Sequence, residues 1–187
     1  MGRRGVFPGS FNPPTTAHLA ISEAVVKQHS LDVLVWTVSR VALAKEEVQL
    51  PRLADRIAVL EAVAAPIDWL EIAVTEVQLL SEIAAGFDVI VMGADKWHQI
   101  HDPVFYGNDP ARRDASIAAL PAVAIAARPP HDCPPEMVLD VPDWVGTVSS
   151  TRARTTDPTL MAPAAASFDA HTGAWTDPVR YEAWLSG

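Results

Sequence analysis

The sequence predicts an α/β protein: an open parallel sheet with helices on both faces and a short, atypical C-terminal tail. Short apolar runs rich in β-branched residues, such as 31–38, alternate with stretches of helical spacing, such as 53–64. Strands separated by helical stretches of about 10–15 residues call for right-handed βαβ crossovers and parallel pairing. Glycine turns also follow strand candidates, Gly9 after 5–7 and Gly93 after 88–92. In parallel sheets ligands collect beyond the carboxyl ends of the strands, at the switch point of the winding.

Residues 5–7 read as a first strand, 9–18 as a turn of glycine and prolines, and 18–26 as an amphipathic helical run. The continuous apolar run 31–38 suits a strand buried on both faces. Leu53, Ile57, Leu60 and Val63 recur at helical spacing before Pro66, and 69–74 is the next strand. Thr75, with Gln78 three residues on, predicts a capping box and a helix that stops at Gly86. Residues 112–120 read as a helix, and 121–126, 137–141 and 144–148 as strands. Proline and glycine make loops of 99–111 and 127–136. Asp177 and Pro178 suit the N-cap and first position of a short terminal helix, whose Tyr181, Trp184 and Leu185 would pack back on the domain.

A chain of 187 residues fits a domain over 1–155 with an extension over 156–187. Its net charge of −9 argues against sequence-independent binding of nucleic acid or an anionic membrane, both of which need a basic surface. A local basic pocket for a small phosphorylated ligand is compatible with that charge. Cys133 stands alone, so neither an internal disulfide nor a multi-cysteine zinc site is expected. The start, Met-Gly-Arg-Arg-Gly, lacks the apolar stretch of a signal peptide, and no run approaches the roughly 20 apolar residues of a membrane span. The expected location is the cytoplasm. Oligomeric state is not encoded in any pattern of the chain.

The segment Gly9-Ser10-Phe11-Asn12-Pro13-Pro14-Thr15-Thr16-Ala17-His18 is the most informative. A strand-to-helix turn of this kind aims backbone N–H groups and the positive end of a helix at one spot, which suits phosphate. Thr15 and His18 stand three apart at the helix entrance, so both can face that spot. A plain tight turn with an exposed histidine explains the composition equally well. The companion segment Val148-Ser149-Ser150-Thr151-Arg152-Ala153-Arg154 offers hydroxyls and guanidinium forks, which also hold phosphate oxygens. Read alone, its Ser-Ser-Thr is often only a helix cap.

Together the two segments resemble the HxGH-type nucleotidyltransferases, in the branch of nicotinate/nicotinamide mononucleotide and phosphopantetheine adenylyltransferases. The family pattern Gly-x-Phe-(Asn/Asp)-Pro-x-(His/Thr)-x-x-His stands here as G-S-F-N-P-P-T-T-A-H, with one residue more between Pro13 and Thr15 than the shortest form. Its Ile-Ser-Ser-Thr-x-x-Arg stands as V-S-S-T-R-A-R, and Gly93-Ala94-Asp95 matches a third element. Ala17 replaces the usual glycine. The resemblance implies a Rossmann-like fold and transfer of an adenylyl group from MgATP to a phosphate acceptor, with pyrophosphate leaving. Nicotinate or nicotinamide mononucleotide is the preferred acceptor, from the Phe-Asn-Pro form and Gly-Ala-Asp followed by tryptophan. Adenylyl or cytidylyl transfer to another phosphate such as phosphopantetheine, and a non-catalytic nucleotide-binding module, are the alternatives.

The resemblance assigns His18 and Thr15 as donors to the α- and β-phosphates, and Arg154 to the β- and γ-phosphates. Lys45 corresponds to a phosphate- and acceptor-binding lysine, with Lys96 a weaker candidate. Gly9, Ser10 and Phe11 would lie along the nucleotide, Gly93 and Asp95 beside the adenosine, and Ser149, Ser150 and Thr151 at the adenine edge or phosphates. Arg56 aligns loosely with a family arginine, though a surface ion pair explains it and Arg52 equally well. Trp97 is a candidate to stack on the acceptor's pyridine ring, whereas Trp36 lies inside a strand and reads as core. His98, His101 and Asp102 have a spacing that could touch a metal but lack a third strong ligand. Mg2+ carried by the triphosphate is the expected ion.

Overall fold

The computed structural model describes residues 2–40 and 51–187. Five strands, β1 (Arg4–Pro8), β2 (Val33–Ser39), β3 (Leu70–Thr75), β4 (Val89–Gly93) and β5 (Ala122–Ala126), form one sheet in the order β3-β2-β1-β4-β5. Every neighbouring pair is parallel. The winding runs outward from β1 to β3, then returns to place β4 on the other side of β1. The switch point therefore lies between β1 and β4, the strands that lead into Gly9 and Gly93.

Strand alternation divides the core into two layers. Phe7, Trp36, Val89, Val91 and Ala124 face one side, where they meet Ile21 and Val25 of α1 (Thr16–His29) and Leu60 and Val63 of α2 (Leu53–Ala64). Val6, Ile90, Met92 and Ile125 face the other and pack on Ala84, Ala94, Ile100 and Ile117. The second layer is built from α3 (Leu80–Ile83), α4 (Ala94–Gln99) and α5 (Pro110–Ala118). Leu34, Val89 and Ile90 are fully buried, and each such side chain stabilises the fold by about 1.5–3 kcal/mol. The expected parallel sheet with helices on both faces is the observed one.

Four expectations about elements are corrected. Thr75 ends β3 instead of starting a helix, its Oγ1 accepts from Val77 N–H at 3.1 Å, and the helix is only the single turn of α3. Residues 137–141 add no strand; one parallel bridge joins Val138 to Ile125. The apolar stretch 144–148 forms most of a 3-10 turn, Asp143–Thr147. The fourth correction concerns α5, which starts at Pro110 because Asp109 caps it through Ala111 and Arg112 N–H.

Beyond α6 (Ser150–Thr155), residues 156–187 hold α7 (Pro163–Thr172) and α8 (Pro178–Ser186). The helix α7 leaves little signal in the sequence, because its alanines give no clear apolar stripe; Pro163 occupies its first position. Asp177 does cap α8, accepting from Arg180 N–H at 3.0 Å. Met161, Ala165, Trp175 and Tyr181 pack on Val59 of α2 and Ala153 of α6. Tyr181 is fully buried, and its hydroxyl accepts from Arg52 N–H at 3.1 Å and donates to the Asp55 carboxylate. No helix among the described residues is long and apolar enough to cross a membrane.

Candidate functional site

The turn between β1 and α1 is held by its carbonyls. Arg56 donates to the Ser10 carbonyl and Arg154 to that of Asn12. Ser150 Oγ donates to Pro13 O at 2.8 Å, and Ala162 N–H to Pro14 O at 2.9 Å. The N–H groups of Ser10 and Phe11 find no acceptor among the described residues, although both residues line an open cavity of about 810 Å³. Buried main-chain donors are normally paired, so a turn with its carbonyls tied back and its amides free suits an anion. Phe11 takes a left-handed φ of 43°, strained for a residue with a side chain. Its ring, stacked on Trp36 at 4.5 Å, anchors that conformation.

Thr15 is the N-cap of α1 and His18 its third residue. The Thr15 N–H donates to His18 Nδ1 at 2.9 Å, and Thr15 Oγ1 lies 2.8 Å from the same nitrogen. A main-chain N–H can only donate, so Nδ1 is the acceptor and the proton of the neutral ring sits on Nε2. Phe7, Phe11 and Trp36 surround the imidazole with ring centroids 5.0–6.1 Å away. Burial among them lowers its pKa from 6.5 to about 4, and the positive charge of Arg128 adds to the shift. His18 is thus a neutral hydrogen-bond donor on the cavity wall. Thr15, 1% exposed and turned onto His18, orients the ring and is not free to act as a separate donor.

The second segment lies against the first. Ser149 caps α6 by accepting from Arg152 N–H at 3.1 Å, so the helix-cap reading of this serine is correct as well. Its hydroxyl proton stays available, whereas Ser150 has spent its proton on Pro13 and keeps lone pairs. Thr151 is exposed, and its Oγ1 lies 3.4 Å from Arg154 Nη2. The strand-end rule could have found a further cation, Arg128, two residues past β5; it lines the cavity and donates to the Val148 carbonyl.

Arg40, Arg56, Arg128, Arg154 and Lys96 line the cavity with one carboxylate among the described residues, Asp95. Arg56, Arg128 and Arg154 each donate to a main-chain carbonyl, and none pairs with a carboxylate there. Arg56 is 6% exposed, and its Nε is buried without a hydrogen-bond partner among the described residues. Burial lowers the pKa of both Arg56 and Arg154, yet guanidinium stays charged near neutral pH. Gathering Arg56, Arg128 and Arg154 without a carboxylate partner among the described residues costs free energy that a polyanion offsets. An acidic chain has built a basic pocket.

Gly93 and Asp95 line the cavity beside β4. Asp95 is exposed in the first turn of α4; the cap is Gly93, so the helix-cap reading of Asp95 fails. Trp97 lies outside the cavity lining, packed partly buried in the second core layer with His101 edge-on at 4.6 Å. The aromatic residues that line this side of the cavity are Phe105 and Tyr106. Trp36 is fully buried and donates Nε1–H to Ser22 Oγ at 2.8 Å, as a core residue. Ala17 is 4% exposed and shares the first core layer. His98 bonds the Asp132 carbonyl and His101 that of Trp97, and no cluster among the described residues could hold a metal ion. Lys45 lies outside the described residues.

The sheet order and the basic cavity at the switch point define a Rossmann-like α/β protein. The cytidylyltransferase-like family model matches residues 6–120, and the chain belongs to that family of nucleotidyltransferases. It is 32% identical over 141 residues to a probable nicotinate-nucleotide adenylyltransferase of Bradyrhizobium sp. (strain ORS 278), covering 69% of each chain. A protein of the same description from Rhizobium etli (strain CIAT 652) is 46% identical over 61 residues, 33% of this chain. That match spans 32% of the Rhizobium protein, about a third of its length. The fold matches Plasmodium falciparum nicotinic acid mononucleotide adenylyltransferase complexed with APC at a TM-score of 0.67 and 11% identity, covering 96% of this chain and 100% of that one. The complex of that enzyme with NaAD matches at a TM-score of 0.62 and 11% identity, with the same coverage.

Proposed function

We propose that this chain transfers the adenylyl group of MgATP to nicotinate mononucleotide, forming a dinucleotide and releasing pyrophosphate. The observation that carries the reading is the turn whose carbonyls are tied back while the Ser10 and Phe11 amides border a wall of guanidinium groups. The names of the relatives supply the acceptor.

An oxygen of the acceptor phosphate attacks the α-phosphorus, and the bond to the bridging oxygen breaks. Pyrophosphate takes that electron pair. Such a transfer needs in-line positioning and charge stabilisation more than covalent help. His18 Nε2–H donates to an α- or β-phosphate oxygen, held in aim by Thr15. The amides of Ser10 and Phe11 beside Gly9, the guanidinium groups of Arg128 and Arg154, and Lys45 by resemblance take the remaining phosphate charge. Gly93 and Asp95 border the adenosine. Ser149 and Thr151 offer protons to the adenine edge or phosphates, and Ser150 offers lone pairs to the adenine amino group. Asp95, the one described carboxylate of the wall, leaves Mg2+ to arrive with the triphosphate, and the ion would supply charge neutralisation there. The acceptor ring lies against Phe105 in place of Trp97, on a wall continued by Leu79 and Tyr106.

Pyrophosphate release measured with ATP and CTP against nicotinate mononucleotide, nicotinamide mononucleotide and phosphopantetheine tests the reading. Release with ATP and nicotinate mononucleotide is expected. Release only with CTP or another acceptor overturns the substrate assignment, and tight ATP binding without release from any pair overturns the enzyme.

A further inference from the structure

We propose that Trp175, from the segment beyond residue 155, is a positioning residue of the phosphate site. Its indole Nε1–H donates to Asn12 Oδ1 at 2.6 Å, across 163 residues of sequence. Both residues are buried, Trp175 at 6% and Asn12 at 8% exposure. The main-chain oxygen of Asn12 meanwhile accepts from Arg154 Nη1. One residue of the turn thus holds the indole with its side chain and the cavity guanidinium with its backbone. Neither Asn12 nor Trp175 lines the cavity, so Trp175 acts through Asn12.

The indole is itself aimed. Asp169, 5% exposed, accepts from Trp175 N–H at 2.7 Å and Thr176 N–H at 3.0 Å through Oδ1, and from Thr176 Oγ1 at 2.6 Å through Oδ2. Phe168 packs edge-on against the indole at 6.0 Å. The same segment reaches the turn again at an antiparallel bridge between Thr15 and Met161, in which Ala162 N–H donates to Pro14 O at 2.9 Å. Packing alone would be satisfied by any large apolar ring at 175. The indole N–H adds a directional bond to a buried amide oxygen, which would otherwise lie unpaired at a cost. It fixes the Asn12 amide, and with it the carbonyl that sets Arg154.

The proposal rests on the adenylyl-transfer reading for its kinetics, so the test includes a binding arm. Trp175→Phe removes the N–H and keeps a ring. It is expected to lower kcat about ten-fold and to weaken MgATP binding several-fold by calorimetry, because small misplacements near the reacting atoms are costly. KM for nicotinate mononucleotide should stay within about two-fold. In an Arg154→Lys background Trp175→Phe should cost far less, since the linked bond is already lost. Leu185→Ala, which removes a partly buried side chain of α8 from the same cluster, should lower Tm and leave kcat and MgATP affinity unchanged. If Trp175→Phe folds poorly, Asp169→Asn, which loosens the loop that aims the indole, takes its place with the same expected direction. A Trp175→Phe chain that loses only Tm, or costs that add fully to those of Arg154→Lys, overturns the proposal. Should the wild type form no dinucleotide, the function above fails, and the MgATP affinity comparison still decides the role of Trp175.

Discussion

Thr15 N–H and His18 Nδ1 meet at 2.9 Å, and this bond places the imidazole proton on the opposite nitrogen. With its pKa lowered from 6.5 to about 4, the ring stays neutral throughout the physiological range. The kcat/KM profile should therefore show no limb near pH 6.5 from this group and should fall only near pH 4–5. Stability follows the same sign. Above pH 6.5 both states hold the neutral ring; between 6.5 and 4 the unfolded chain binds a proton that the folded chain refuses. Stability should drop as acid is added, by an order of about 3 kcal/mol at the low end. An imidazole nitrogen titration seen by NMR with a midpoint near 6.5 contradicts this.

Replacing His18 by alanine deletes the donor. Turnover should fall by about 10²–10³-fold, as when one preorganised donor is removed from a developing charge. Unchanged kcat in a chain with wild-type circular dichroism would take His18 out of the mechanism.

Arg128→Gln should weaken MgATP binding by about 10–100-fold, the scale of one charge-assisted hydrogen bond. The same substitution should raise the His18 pKa, since the Arg128 charge helps lower it. Calorimetry and NMR read the two effects on one sample. A loss of affinity with no movement of the imidazole would mean that the two groups do not sense one another.

Phe105 and Trp97 separate by their effects. Phe105→Ala should raise KM for the acceptor about 2- to 12-fold while leaving ATP binding intact, given a stacking contact of about 0.5–1.5 kcal/mol. Trp97→Ala should instead lower Tm, because its ring packs in the second core layer. A raised acceptor KM for Trp97→Ala with wild-type Tm would return the ring site to Trp97.

Gly9 is fixed by contact. A Cβ there would lie 2.9 Å from Cε2 and Cζ of Phe11, whose ring is backed by Trp36 at 4.5 Å. Gly9→Ala should cost about 1–3 kcal/mol of stability, as overpacking does, and should lower kcat by shifting the turn. Thermal unfolding and steady-state rates check both; a neutral Gly9→Ala would show that the ring yields.

The sheet was legible because its strands are continuous apolar runs, whose period does not depend on partners. Residues 144–148 have the same appearance and coil into a 3-10 turn, because no neighbouring strand edge pairs with them. Thr75 and Gln78 carry the letters of a capping box, but the helix that would use it does not start there. The turn and the segment 149–154 could be read because their chemistry is local in sequence. Trp97, the stacking candidate of the sequence, lies outside the cavity lining for the opposite reason: which face of a short helix meets the cavity is decided by packing. The strand-end position marks Arg128 and the resemblance marks Arg56, but their bonds to main-chain carbonyls, and that of Trp175 to the Asn12 amide, join residues far apart in sequence, and no spacing rule registers such contacts.

The bond between Asn12 and Trp175 also orders events in time. Synthesis runs from the N-terminus at about 5–20 residues per second, so the turn is made early and its indole brace last. With 163 positions between the partners, a nascent chain can wind the five strands while the phosphate turn still lacks this support. A ribosome-bound chain stalled before Trp175 would carry a formed sheet and an unfinished pocket, and full nucleotide affinity would arrive only after that residue clears the exit tunnel.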